Sequence, residues 1–217
     1  RYIKKKTSSL EDNILPELIM NKKISGKIFN KFFLDIGTPK DFKKAKKLLI
    51  NNFRRPAAFL DRDGVINYDY GYVHKINKFK FRKGVVKGLK HLCQKKYYIF
   101  LITNQAGIAK GIFKERDFIS LHSKLKNILE KRGIYFNEVA FSPFHPQAKI
   151  KKYKKNSLTR KPGNLLIENI KKNWHIKLKK SFMIGDQQTD KLAAHKSKLY
   201  FEFPKKDFFR QIKSFTK

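Results

Sequence analysis

From about residue 57 onward the chain alternates short apolar runs with segments of helical period, and this alternation restricts the fold more than any other feature. The runs at 57–60, 97–102, 139–142, 182–184 and 199–203 are short enough for strands and apolar enough to be buried on both faces. Between them, 85–94 and 115–131 have helical spacing. The second puts Phe118, Leu121, Leu125, Ile128 and Leu129 on its inner face and stops at Gly133. Segments 161–174 and 189–196 supply two more helices. Strands alternating with helices predict an α/β fold with a doubly wound parallel sheet.

Composition narrows the class. At 217 residues, 41% hydrophobic and 14% aromatic, the chain has enough material for one well-buried domain and an appendage. No stretch approaches the roughly 18 consecutive apolar residues of a membrane span, and the start lacks a secretory core, so a cytoplasmic location is expected. The single Cys93 agrees with a reducing compartment and falls on a helix face where packing is its expected role. The net charge of +35, from 52 Lys+Arg against 17 Asp+Glu, raises nucleic-acid binding. The basic residues are mostly lysines scattered through every segment, with no helix-turn-helix, zinc-finger or RNA-binding signature. A solvated basic surface that attracts an anionic substrate is the preferred reading.

In a doubly wound sheet ligands bind beyond the carboxyl ends of the strands. The residues there are Asp61, Arg62, Asp63 and Gly64 after the first strand, Thr103, Asn104 and Gln105 after the second, and Gly185 and Asp186 after the fourth. Carboxylates at i and i+2 past a strand point the same way, so Asp61 can attack while Asp63 manages a proton. Attack on a dianionic phosphate needs the repulsion neutralised, and a magnesium ion held by Asp61, Asp186 and the Asp63 backbone carbonyl would do so. Thr103, the Asn104 amide and Lys161 would hold the equatorial oxygens, and Asp63 would protonate the leaving alcohol and then activate water. Alone, an Asp-x-Asp-Gly also describes a turn or calcium loop, a Thr-Asn pair a helix cap, and a Gly-Asp pair a turn. Their order along the chain and their placement after strands carry the functional reading.

These residues resemble the four motifs of the haloacid dehalogenase-type phosphatases: 61–64, Thr103, Lys161, and Gly185 with Asp186. Stretches 61–67, 69–74, 103–111 and 160–162 narrow the resemblance to D-glycero-D-manno-heptose 1,7-bisphosphate 7-phosphatases, which share their scaffold with histidinol-phosphate phosphatases. The resemblance implies a Rossmann-like fold without a large cap domain, since only about forty residues separate Asp61 from Thr103. It implies substrate contacts at Asp69, Tyr70, Gly71, Tyr72, Asn104, Gln105, Ala106 and Arg160, with Asp190 as a supporting carboxylate. It also implies a magnesium cofactor and a small phosphorylated sugar as substrate. Zinc-holding relatives carry Cys-x-His and Cys-x-Cys where this chain has Ser142, Phe144, Ser157 and Thr159, so no zinc is expected and the loop at 145–156 should be more mobile. The residue after Asp186, often lysine in the family, is Gln187. The alternatives are histidinol phosphate as substrate and, in another class, a catalytically silent basic binding module.

Residues 1–50 resemble the C-terminal end of a sugar-1-phosphate nucleotidyltransferase at 9–11, 15–18 and 33–42, without that fold's glycine-rich nucleotide motif. The expected organisation is this remnant, a linker at 51–56 and a phosphatase domain at 57–217. The first residue is not Met, which fits a fragment of a longer product, and fusion to or association with a nucleotidyltransferase follows as an expectation. Independently of resemblance, Thr38, Pro39 and Asp41 make a good helix start.

Overall fold

The computed structural model describes residues 9–29 and 33–216; residues 1–8 and 30–32, part of the N-terminal segment, and Lys217 lie outside the described residues. The chain divides into two compact units, Arg1–Lys47 and Leu48–Lys217. In the first, Ser9 Oγ accepts from the Asp12 amide (3.1 Å) and caps a π-helical turn, Leu10–Ile14, that leads into α1, Leu15–Met20. Thr38 Oγ1 accepts from the Asp41 amide (3.1 Å) at the start of α2, Pro39–Phe53. The serine and threonine supply acceptors for amides that have no carbonyl partner in the first turn.

The second unit is built on a five-stranded parallel sheet in the order β3-β2-β1-β4-β5, with β1 Ala57–Leu60, β2 Tyr98–Asn104, β3 Glu138–Ser142, β4 Phe182–Ile184 and β5 Tyr200–Glu202. Successive side chains of a strand point to opposite faces, and the apolar residues sort accordingly. Ala58, Leu60, Ile99, Leu101 and Ile184 face one core with α3, Val85–Gln94, and α8, Phe208–Phe215. Ala57, Phe59, Phe100, Ile102 and Met183 face the other, with α6, Leu165–Asn173, and α7, Gln188–Lys196. A sheet covered on both faces requires strands that are apolar throughout, as β1, β4 and the middle of β2 are. The edge strands depart from the expectation of full burial: β3 is mostly half-buried and Tyr200 of β5 is exposed, because each has a neighbour on one side only.

Helix α5, Glu115–Glu130, buries Phe118, Leu121, Leu125 and Leu129, whereas Ile128, expected on that face, is 37% exposed. The buried four follow steps of three and four residues; Ile128 lies about 100° around the helix from Leu129. The expected helix at 161–174 begins only at Leu165. Before it, the chain turns through Gly163, whose amide donates to the Arg160 carbonyl (2.7 Å), and Pro162 has no amide for a helical ladder. Between β1 and β2 lie a loop with a short 3-10 turn at Ile76–Lys78 and α3, and no inserted cap domain. Among the described residues no helix is long and apolar enough to cross a membrane.

The sheet order has a consequence for the site. From β1 the chain runs outward through β2 to β3, then returns to place β4 on the opposite side of β1. At such a reversal the connections leave in opposite directions and open a crevice at the carboxyl ends.

Candidate active site

Asp61 is the first residue past β1, and its amide donates to the carbonyl of Ile184 on β4 (2.9 Å), which ties the two strand ends together. Its Oδ1 accepts from Lys161 Nζ at 2.6 Å. The same ammonium donates to the Ile102 carbonyl at the end of β2 (2.9 Å) and pairs with Asp190 Oδ1 (2.5 Å). Asn104 holds the Lys161 backbone from both sides, accepting from its amide (3.0 Å) and donating to its carbonyl (3.1 Å). Burial pushes the Asp61 carboxyl up to about 7; Lys161 works against the rise and the Asp190 charge adds to it. Burial also opposes the charge on Lys161, but the carboxylates of Asp61 and Asp190 outweigh it and hold the ammonium above its ordinary range.

Asp63 is held by neighbours to which sequence reading gave no such role. Arg62, fully buried, donates from Nε and Nη2 to both Asp63 oxygens at 2.7–3.2 Å, and Nη2 also reaches the Val73 carbonyl (2.7 Å). Asn67 Nδ2 (2.9 Å) and Gln105 Nε2 (3.1 Å) complete the set, and Gln105 also donates to Thr103 Oγ1 (2.9 Å). Arg62 stands between two strand-end carboxylates, and a cation buried there has to be paired; that was the available signal for Arg62.

Asp186, just past β4, receives a hydrogen bond from Gln187 Nε2 to Oδ2 (2.9 Å), and burial pushes its carboxyl up against that bond. Gln187 and Asp190 form a capping box at the start of α7, with the Gln187 amide donating to Asp190 Oδ2 (3.0 Å). Gly64 passes directly under Asp186 with φ +76°; a Cβ there would collide with the carboxylate, so only glycine lets the motif close over it. Asp61, Asp186 and Asp190 bring ligand oxygens within 4.8 Å of one another against the single buried ammonium of Lys161. Three hard oxygen donors with more negative than positive charge fit a divalent cation such as magnesium.

A cleft of about 390 Å³ opens over these groups. It brings together Asp61, Asp63, Asp69, Gly71, Tyr72, Thr103, Asn104, Gln105, Ala106, Lys161, Asp186 and Asp190 from the expected set, and adds Gly107, Gln187 and Thr189. Tyr70, 62% exposed, and Arg160 do not line it; Arg160 Nη1 donates to the Phe144 carbonyl (3.3 Å). Tyr72 has φ +50°, unusual for an aromatic residue and a common mark of functional loops. Its hydroxyl accepts from Lys110 Nζ (2.7 Å), which also lies over its ring at 5.3 Å. At the positions compared with zinc ligands, the hydroxyls of Ser142, Ser157 and Thr159 bond one another.

Comparison with known proteins agrees with this geometry. A model of the family described as polynucleotide kinase 3 phosphatase matches residues 58–213. A D-glycero-beta-D-manno-heptose-1,7-bisphosphate 7-phosphatase of Rhodopseudomonas palustris is 40% identical over 65% of this chain and 78% of its own. One from Photorhabdus laumondii is 41% identical over 66% and 77%. The crystal structure of a D,D-heptose 1,7-bisphosphate phosphatase from B. bronchiseptica, complexed with magnesium and phosphate, superposes with TM-score 0.62 over 73% of this chain and 86% of its own at 23% identity, a likeness of fold. The strand-end carboxylates thus lie in a chain that belongs to the polynucleotide kinase 3 phosphatase family and has heptose-bisphosphate phosphatases among its relatives.

Proposed function

We propose that this chain removes the 7-phosphate of a D-glycero-D-manno-heptose 1,7-bisphosphate through an aspartyl-phosphate on Asp61. The observation that carries the reading is the convergence of Asp61, Lys161, Asp186 and Asp190 where β1, β2 and β4 end. Asp61 attacks phosphorus as the bond to the sugar oxygen breaks, and Asp63 delivers a proton to that oxygen. Water then attacks the aspartyl-phosphate, Asp63 takes its proton, and the P–O bond to Asp61 breaks to release phosphate. Lys161 holds the charge of the transferring group while Thr103 and the Asn104 amide orient its oxygens. Asp61, Asp186 and Asp190, with the Asp63 backbone carbonyl, would hold magnesium, which when bound neutralises the repulsion between nucleophile and phosphate. Arg62, Asn67 and Gln105 keep the Asp63 carboxylate aimed at the cleft.

The heptose substrate is supported by the relatives at 40% and 41% identity, and histidinol phosphate gains no such support. A silent binding module sits badly with a cleft that gathers Asp61, Asp63, Lys161, Asp186 and Asp190. We read residues 1–50 as a nucleotidyltransferase remnant that joins or associates with such an enzyme. The exposed Phe29, Phe33 and Phe42 support the need for a partner surface, and co-purification with a sugar nucleotidyltransferase would test it. For the phosphatase, release of phosphate from heptose 1,7-bisphosphate and from histidinol phosphate is compared with magnesium present. The heptose should be hydrolysed with the higher kcat/KM, and the reverse order would overturn the assignment.

A further inference from the structure

Tyr72 meets the cleft in a backbone conformation that an aromatic residue keeps only where its surroundings fix it. It has φ +50° and follows Gly71 at φ +77°; both line the cleft beside Asp69, whose Oδ1 accepts from the Gly71 amide (2.8 Å). His74 Nδ1 lies 2.7 Å from the Tyr72 carbonyl, and because a carbonyl can only accept, the imidazole donates. The imidazole is stacked on Phe113, with ring centres 4.9 Å and planes 10° apart, and Phe113 is itself buried. Phe113 and Tyr72 share a seat: a Cβ on Gly107, which also lines the cleft, would strike both rings. We infer that His74 is a positioning residue, stacked on Phe113 so that its hydrogen bond holds Tyr72 as a fixed wall of the cleft.

The loop has anchors on either side of that bond. The buried Val73 gives its carbonyl to Arg62 Nη2 (2.7 Å), the nitrogen that also holds Asp63, and the Tyr72 hydroxyl accepts from Lys110 Nζ (2.7 Å). His74 fastens the Tyr72 carbonyl between them. On the proposed reading that phosphorus is transferred to Asp61, in-line attack puts the breaking bond on the side of phosphorus away from that carboxylate. The departing group then occupies the cleft that Tyr72 walls. A wall set beforehand leaves less freedom to be lost when substrate binds. Lys161 is held independently by Asn104, Asp61 and Asp190, so loosening Tyr72 should cost affinity and spare the chemical step.

His74→Phe keeps a ring to stack on Phe113 and removes the donor; His74→Asn returns a donor near the place of Nδ1. For His74→Phe, KM for heptose 1,7-bisphosphate should rise about fivefold to tenfold with kcat within about twofold, and His74→Asn should lie nearer the parent. Tyr72→Ala should raise KM at least as much, and adding His74→Phe to it should change nothing further. Hydrogen exchange should quicken at 70–74 in His74→Phe and stay unchanged elsewhere in the unit. A His74→Phe loss that persists in the Tyr72→Ala background, exchange unchanged at 70–74, or exchange that quickens throughout the unit would overturn the inference while the proposed function stands. So would a parental KM in Tyr72→Ala, or His74→Asn faring worse than His74→Phe. A parent chain that does not hydrolyse the bisphosphate overturns the proposed function instead; exchange at 70–74 and the same variants on p-nitrophenyl phosphate then decide the part of His74.

Discussion

Asp61 and Asp63 are two residues apart, yet their surroundings give them different partners. Asp61 touches one ammonium inside the sheet crevice, whereas Asp63 is held by Arg62, Asn67 and Gln105. Asp61→Asn should lower turnover by on the order of 10⁴-fold or more with the fold intact, and no phosphorylated protein should form. Asp63→Asn should lower it by about 10²–10⁴-fold but leave the first transfer detectable with an activated ester whose leaving group needs no proton. Rapid-quench measurement of phosphoenzyme checks both, and phosphoenzyme in the Asp61 variant would refute the covalent role. The raised Asp61 carboxyl, at about 7, has a further consequence. A cation binds its ionised form, so magnesium binding releases a proton and the affinity should tighten as pH rises through about 7 and level off above about 8. Calorimetric titration that finds equal affinity at pH 6 and 8 would count against Asp61 as a ligand.

At the scale of elements, β1 and the loop after it set the site. The run at 57–60 and the helices at 85–94 and 115–130 were legible because an apolar period needs no partner to be recognised. Other features were not legible: the start of α6, the exposure of Ile128, and the half-burial of β3 and β5 depend on what packs beside them. Gly64→Ala tests the loop. A side chain there must adopt positive φ and displace Asp186, so stability should drop by about 1–2 kcal/mol and magnesium affinity with it. Thermal melts with and without magnesium check this; an unchanged response to the ion would separate Gly64 from the metal site. Phe100, fully buried between Phe59 and Trp174, reports on the sheet: Phe100→Ala should cost about 3–5 kcal/mol in denaturant melts.

At the scale of the whole molecule, one half-buried imidazole couples the fold to pH. His122 on α5 packs against Phe118 (4.3 Å), and its Nε2 is buried without a hydrogen-bond partner. Burial first, and the Arg62 charge second, push it down to about 3, with Asp63 opposing. An unfolded histidine titrates near 6.5, so between these values the unfolded chain takes up a proton that the folded one refuses. This group's contribution is therefore level above about 6.5 and is lost as pH falls towards 3, amounting to on the order of 2 kcal/mol between pH 7 and 5. His122→Gln should flatten the melting temperature over that interval; an unchanged slope would assign it to other groups. His122 itself could not be singled out from the sequence, because nothing in a helical stripe tells which face meets Arg62. The same division holds for the site as a whole. The sequence by itself determined the parallel α/β fold and put Asp61, Asp63, Thr103 and Asp186 at strand ends, since strand period and strand-end polarity are local signals that survive in one dimension. Only the tertiary structure decided that Arg62 and Asn67 hold Asp63, that Gln187 bonds Asp186, that Arg160 stands outside the cleft, and that the hydroxyls of Ser142, Ser157 and Thr159 bond one another. Those are pairings between residues whose distance along the chain carries no information about their distance in space.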